Sequence, residues 1–356
     1  MEFVPSRELS RSLYRDEIAP LMDREYPKLQ HAVAFYGMCS EILGLDDEVS
    51  MDHMWGPRVT ILLSQEDHVR YSKELMSKLR ATLPTTYNGF DMTWLKPGVD
   101  VQDTTEQILY TVRTTSVSDA LAFCGGAEAL PLTDVDWLNV SEQHLLEFTN
   151  GEVYRDDTGE FTKARQMLMY YPDDVLRFLL MCGWNSVGGD WFPIGRIGSR
   201  GDDLGLRIQA ASACQHLMRL AFMVSRKYYT YRKWFGSLFK RLPIAAELEP
   251  VLLDLISVKS WQSVEERIWD ATAILLRYQN ELGIAPEIPI EVQKEKNKRH
   301  YLACDFWSIG SKTAGNLPSR LQSLQENEVF WLHEKQLILW NGEVGKWVLF
   351  LQKDNI

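Results

Sequence analysis

The stretch GMCSEILGLDDEVSMDHMWGPR, residues 37–58, decides how this chain is read. It lies between two short apolar runs, AVAFYGM (32–38) and VTILL (59–63), which show no helical period and read as buried strands. Inside it Glu41, Asp46, Asp47, Glu48 and Asp52 put five carboxylates into twelve residues with no Lys or Arg among them. Such a group repels itself unless a cation or a basic partner is present. Loops held between buried strands are also where catalytic groups concentrate. Two readings stand side by side: a solvated acidic loop, or oxygen ligands for a hard divalent cation, most simply magnesium. Of the seven histidines only His53 adjoins the cluster.

Working outward, SRELSRSLYRDEIAPLMDREY (6–26) reads as an amphipathic helix and EDHVRYSKELMSKLRATL (66–83) as a second one. FDMTWL (90–95) and ILYTVRTT (108–115) alternate as half-buried strands do. Strands mixed with helices over 30–120 argue for one small domain of both kinds. From Tyr170 the character changes. Pro172 with Asp173 and Asp174 is a helix start. Leu204, Ile208, Ala211, Cys214, Leu217, Leu220, Val224 and Tyr228 then recur at helical spacing, and further helical segments follow to about 282. PEIPIEVQKEKNKRH (286–300) reads as a connector, and Asn341-Gly342 between KQLILW and KWVLFLQ is a hairpin signal. The expected division is an α/β domain over 1–165, a helical bundle over 166–285 and an extension with a hairpin over 286–356. The fold class is α+β.

Length and composition bound the function. The chain has 356 residues, 45% hydrophobic and 24% charged, enough for two ordinary domains and unlike a disordered or fibrous protein. A net charge of −11 disfavours general nucleic-acid binding. The five cysteines show no CxxC and no Cys/His ligand spacing, so neither a disulfide framework nor a zinc site is expected. Charges in the first twenty residues break up any signal-peptide core, and no apolar run approaches a membrane span, so the expectation is a cytoplasmic protein with no membrane partner.

Against the acidic whole stands a basic segment. Residues 191–243 hold ten Lys and Arg against Asp202 and Asp203, a local balance of 10 − 2 = +8. A cationic stretch in an acidic chain suits a phosphate-bearing ligand, with Arg forks taking phosphate oxygens. Arg196, Arg200 and Lys233 are its candidates. Gly195, Gly198, Gly201 and Gly205 around the two arginines suggest a flexible basic loop, although they match neither a Walker nor a dinucleotide fingerprint. No GxSxG elbow supports a hydrolase triad.

The 37–58 string resembles the signature of an uncharacterised family assigned to the nucleotidyltransferase superfamily, in which Ser-Glu-x-Leu-Gly-x-Asp precedes Ser-x-Asp-His-x-Trp-Gly-Pro-Arg. The segments 147–180, 201–222 and 229–242 are similar to its later blocks, so the resemblance spans roughly 3–282. It implies a mixed sheet with a Gly-Ser turn that holds triphosphate, an acidic pair for magnesium, and a helical domain like that of kanamycin nucleotidyltransferase. Carried onto this sequence, Ser40 matches the turn, Arg58 ends the motif, and Asp52, flanked by His53, is the first metal carboxylate. The second falls on Met54, a soft and uncharged ligand that cannot replace an acid for magnesium. Asp46 or Glu48 would then supply the missing oxygen. The implied activity is nucleotidyl transfer from magnesium-bound ATP or another nucleoside triphosphate to a small-molecule substrate. Two alternatives remain: a tailoring enzyme that reuses the fold without a nucleotide, and a catalytically silent ligand-binding or regulatory protein.

Overall fold

A computed structural model describes residues 2–52, 55–95, 108–123, 129–290, 302 and 304–326. The expected C-terminal hairpin, His53 and Met54 lie outside the described residues, as does the side chain of Asp52. The fold is α+β, and the chain divides into two compact units: 1–131 with 144–169, and 132–143 with 170–356.

In the first unit the N-terminal segment is helical throughout, as α1 (Ser6–Leu13), a π-helical turn (Tyr14–Ile18) and α2 (Ala19–Glu25). Then come β1 (Ala32–Phe35), a 3-10 turn (Glu48–Asp52), β2 (Val59–Leu63), α3 (Gln65–Thr82), β3 (Thr86–Tyr87) and β4 (Phe90–Asp91). The 90–95 run breaks at Met92, whose N–H is drawn back to the Thr85 carbonyl and whose own carbonyl accepts the Thr111 N–H. That splits off β5 (Thr93–Leu95) and separates β6 (Ile108–Tyr110) from β7 (Val112–Ser116). After α4 (Val117–Phe123), the second unit takes α5 (Asp134–Asn139), and α6 (Glu142–Thr149) returns the chain to the first unit for β8 (Glu152–Asp156) and α7 (Glu160–Met167).

The sheet runs β7-β2-β1-β8, with β1 antiparallel to both neighbours and β2 parallel to β7. Both central strands are buried on both faces, which is why their sequences show no alternation. One face, with Val33, Val59, Ile61 and Val112, packs against Leu13, Leu21 and Met22 of the N-terminal segment and Leu75 and Leu79 of α3. β8 escapes sequence reading because EVYRD is half-buried and charged along its length. It is nonetheless held closely, since a Cβ on Gly151, at φ +84°, would run into the Phe35 carbonyl.

The second unit continues with α8 (Asp173–Gly198), α9 (Asp203–Val224), α10 (Arg232–Phe239), α11 (Ala245–Ser257), α12 (Trp261–Glu281), α13 (Phe306–Ala314) and α14 (Ser319–Glu326). The apolar stripe expected on α9 is only partly a core stripe: Leu204 and Ile208 face solvent at 71% and 62% exposure. Leu206, Ala210, Ala213, Leu217, Leu220 and Val224 are buried instead. Alanines let this second stripe sit close to α8, where a Cβ on Gly183 would already meet the Leu220 side chain. The interior also carries polar joints. Trp184 Nε1 donates to Gln279 Oε1 at 2.7 Å and Gln279 Nε2 to Thr313 Oγ1 at 2.9 Å, linking α8, α12 and α13. Asp190 on α8 meets His216 Nδ1 on α9 at 2.6 Å and also accepts from Gln209.

The segment 132–143, assigned from sequence to the first domain, belongs to the helical unit. Trp137 packs edge-on to Tyr171, and the Glu142 carboxylate accepts the Tyr229 N–H at 3.1 Å. Burial pushes the Glu142 carboxyl up to about 7, opposed by the Tyr229 N–H, the Arg219 guanidinium and the Tyr171 hydroxyl. In the folded state this group keeps its proton to higher pH than in the unfolded chain. Its contribution to stability is therefore complete below about pH 4.5, the ordinary glutamate value, and is lost as the pH rises through about 7. Glu142→Gln should remove this slope, leaving a variant whose urea midpoint varies less between pH 5 and 8 than that of wild type, by on the order of 3 kcal/mol in stability. Equal pH slopes in the two proteins would refute the assignment.

Candidate functional site

The loop after β1 starts with unusual backbone. Gly37 has φ +110° and Cys39 φ +87°, a conformation that a side chain adopts only when its surroundings impose it. Two features impose it. The Gly37 N–H donates to the Glu147 carbonyl at 2.9 Å, and the guanidinium of Arg58, arriving from just before β2, donates to the Met38 carbonyl at 2.8 Å. The same Arg58 nitrogen pairs with Glu41 Oε1 at 3.3 Å, with the two side chains only 4% and 1% exposed. Arg58 also lies 5.5 Å over the Phe35 ring, and its backbone N–H reaches Ser10 Oγ on α1 at 2.9 Å. Both ends of the loop and α1 therefore meet at one residue.

Within this frame Ser40 is buried, its hydroxyl donating to Ser50 Oγ at 3.3 Å. Ser50 in turn is bracketed by Asp47 Oδ1, which accepts from its N–H at 3.0 Å and from its hydroxyl at 3.1 Å. Burial pushes the Cys39 thiol up to about 11, with Glu41 and Glu147 adding to the shift and Arg58 opposing it. The thiol is a neutral donor at physiological pH.

The placement of the expected site residues corrects several expectations. Asp46 is not aimed at a metal: its Oδ2 accepts the Ser6 N–H at 2.9 Å and the Trp55 indole N–H at 3.0 Å, fastening the start of α1 to the end of the motif. Arg58, expected to meet a ligand, is enclosed with Glu41. Glu48 is exposed at the start of the 3-10 turn that Asp52 closes. Among the described residues no three His, Cys, Asp or Glu side chains gather as a metal set. The carboxylates described thus do not fit a magnesium site, because Asp46 and Asp47 are already occupied by N–H and O–H donors.

The basic segment is not a loop either. Gly195 and Gly198 lie in the last turns of α8, Gly201 at φ +74° makes the turn, and Gly205 sits in the first turn of α9, where its N–H is capped by Asp202. Arg196 stacks at 3.7 Å on Phe192 and donates to its carbonyl, while Arg200 donates to the Arg196 carbonyl. Lys233 lies 5.0 Å over Trp234. All three serve their own helices in the second unit, whereas Ser40 belongs to the first.

Sequence reading missed Arg113. A cation in the middle of VRTTS is the signal that would have drawn attention to it, because register places it beside buried Thr60 on the sheet face opposite the aliphatic core.

Residues 137–235 match the model of a family described as a domain of unknown function, DUF4037. That span overlaps the later blocks that carry the resemblance. No curated protein matches the chain. Among solved structures it is similar to a nucleotidyltransferase-like protein from Exiguobacterium sibiricum 255-15, at 13% identity over 77% of this chain and 74% of that one, with a TM-score of 0.28.

If the Glu41–Arg58 pair is the pin of the loop, removing one partner leaves a buried charge. Glu41→Ala should cost about 3–5 kcal/mol in urea unfolding, whereas the double change Glu41→Leu with Arg58→Met should cost much less. A loss below about 1 kcal/mol for the single change would show that the pair does not hold the loop.

Proposed function

We propose that this chain is a nucleotidyltransferase-type enzyme acting on a small molecule, with the 37–58 loop as its nucleotide-binding end. The observation that carries the reading is the pinned loop at the end of β1. There a strained Gly37–Cys39 backbone, locked by Arg58, presents Ser40 immediately after a buried strand and ahead of an acidic 3-10 turn. Pre-organised backbone N–H groups with a hydroxyl are the equipment that cradles phosphate oxygens, since an anion then meets fixed donors at little reorganisation cost. The motif resemblance over 37–58 supports the same assignment. In this reading Ser40 and its neighbours hold the triphosphate, and Asp52 is the acid of the site.

A second reading has its own support. The engagement of Asp46 by Ser6 and Trp55, together with Met54 at the second acidic position, favours a protein that binds a small molecule on this fold without transferring a nucleotide.

A melting-temperature screen of nucleoside triphosphates, with and without magnesium, tests the leading reading. A triphosphate present at about 100 times its Kd should stabilise the fold by about 2.7 kcal/mol. Ser40→Ala should weaken that binding, and Asp52→Asn should abolish pyrophosphate release while leaving the melting temperature unchanged or higher. Failure of every triphosphate to move the midpoint would leave the second reading standing.

A further inference from the structure

The sheet face opposite the aliphatic core offers positive charge where a metal site would need acids. β7 carries no carboxylate: its residues are Val112, Arg113, Thr114, Thr115 and Ser116. Val112, paired with Val59, turns toward the core, so Arg113, paired with Thr60, turns the other way. Thr60 is buried while Arg113 remains open to solvent. Arg58 directly precedes Val59, so both guanidiniums stand at the same end of the sheet, where β1 delivers Tyr36 and then Cys39.

The groups whose fields act on Arg113 are Arg58, which opposes its charge, and Tyr36 and Cys39, which favour it. Glu41, the acid in this neighbourhood, is enclosed against Arg58. Two cations at one sheet end raise each other's energy, and an anion seated at the open one relieves that cost. Arg58 is closed off and can supply only field. Arg113 is accessible and can supply the planar fork that suits phosphate oxygens. The Cys39 thiol, held protonated, and the Tyr36 hydroxyl are neutral, so they do not oppose an anion.

We propose that Arg113 is the ligand-contacting residue of an anion subsite on this face, which takes a phosphate group of the substrate and needs no divalent cation to do so. The proposal rests on the reading of the 37–58 loop as a phosphate-binding end and names the group that completes it.

Calorimetric titration with inorganic pyrophosphate in excess EDTA tests it on the full chain. Wild type should bind, Arg113→Met should bind at least tenfold more weakly, and Arg113→Lys should fall between them, since it keeps the charge and loses the fork. Should Arg113→Met fail the circular-dichroism check for folding, the Lys variant decides, and affinity equal to wild type there would overturn the proposal. Unchanged affinity in a folded Arg113→Met protein would overturn it too, as would wild-type binding that appears only with magnesium. A pyrophosphate-release assay separates this from the parent reading. No release with Arg113-dependent binding intact sinks nucleotidyl transfer and keeps the subsite, whereas release that survives Arg113→Met sinks the subsite and keeps transfer.

Discussion

Everything at the working end of the first unit depends on one enclosed guanidinium. Arg58 holds Glu41 and the Met38 carbonyl, lies on Phe35 and gives its backbone N–H to Ser10, so the loop, the first strand and the N-terminal helix share a single fixed point. A buried ion pair of this kind contributes little net stability compared with an apolar replacement, because desolvation consumes most of the attraction. Its value lies in geometry. Only a group with several donors in a plane can hold a carboxylate and a backbone carbonyl at once, and that arrangement keeps Gly37 and Cys39 in conformations they would otherwise leave.

The strands and helices that carry regular apolar patterns were legible, because burial alone selects those patterns. AVAF, VTILL and the helix beginning at Gln65 needed no knowledge of their partners. The pattern failed where polar atoms decide. Nothing in the spacing of Asp46 distinguishes a metal ligand from an acceptor for Ser6 and Trp55, since those donors are 40 and 9 residues away. β8 pairs along an edge with charged side chains, so it lacks the alternation that marks a half-buried strand. On α9 two apolar stripes compete, and the one with small residues is buried because a close approach to α8 admits alanine where leucine would clash.

The assignment of 132–143 shows the same limit at the level of whole segments. Sequence continuity ties this stretch to the first unit. A buried carboxylate ties it to the second, since Glu142 finds the Tyr229 N–H, the Tyr171 hydroxyl and the field of fully buried Arg219 there. A buried carboxyl is expensive without such partners, so the polar joint overrides chain order. Asp190 with His216 and Gln209, and Trp184 with Gln279, repeat this solution deeper in the helices.

These internal joints also redirect the search for the phosphate site. The excess of ten Lys and Arg over two acids in 191–243 looked like a binding surface when counted along the chain. Folding consumes much of it: Arg219 is inside with Tyr229 and Glu142, Arg226 pairs with Asp173, Lys240 with Glu249, and Arg196 lies on Phe192. A cation already matched by an acid or stacked on a ring attracts a ligand weakly, because binding must first replace what it has. The relevant quantity is therefore how a cation is surrounded once the chain is folded. By that measure a single arginine on β7, pressed by a second guanidinium and open to solvent, is a stronger anion site than the whole basic segment.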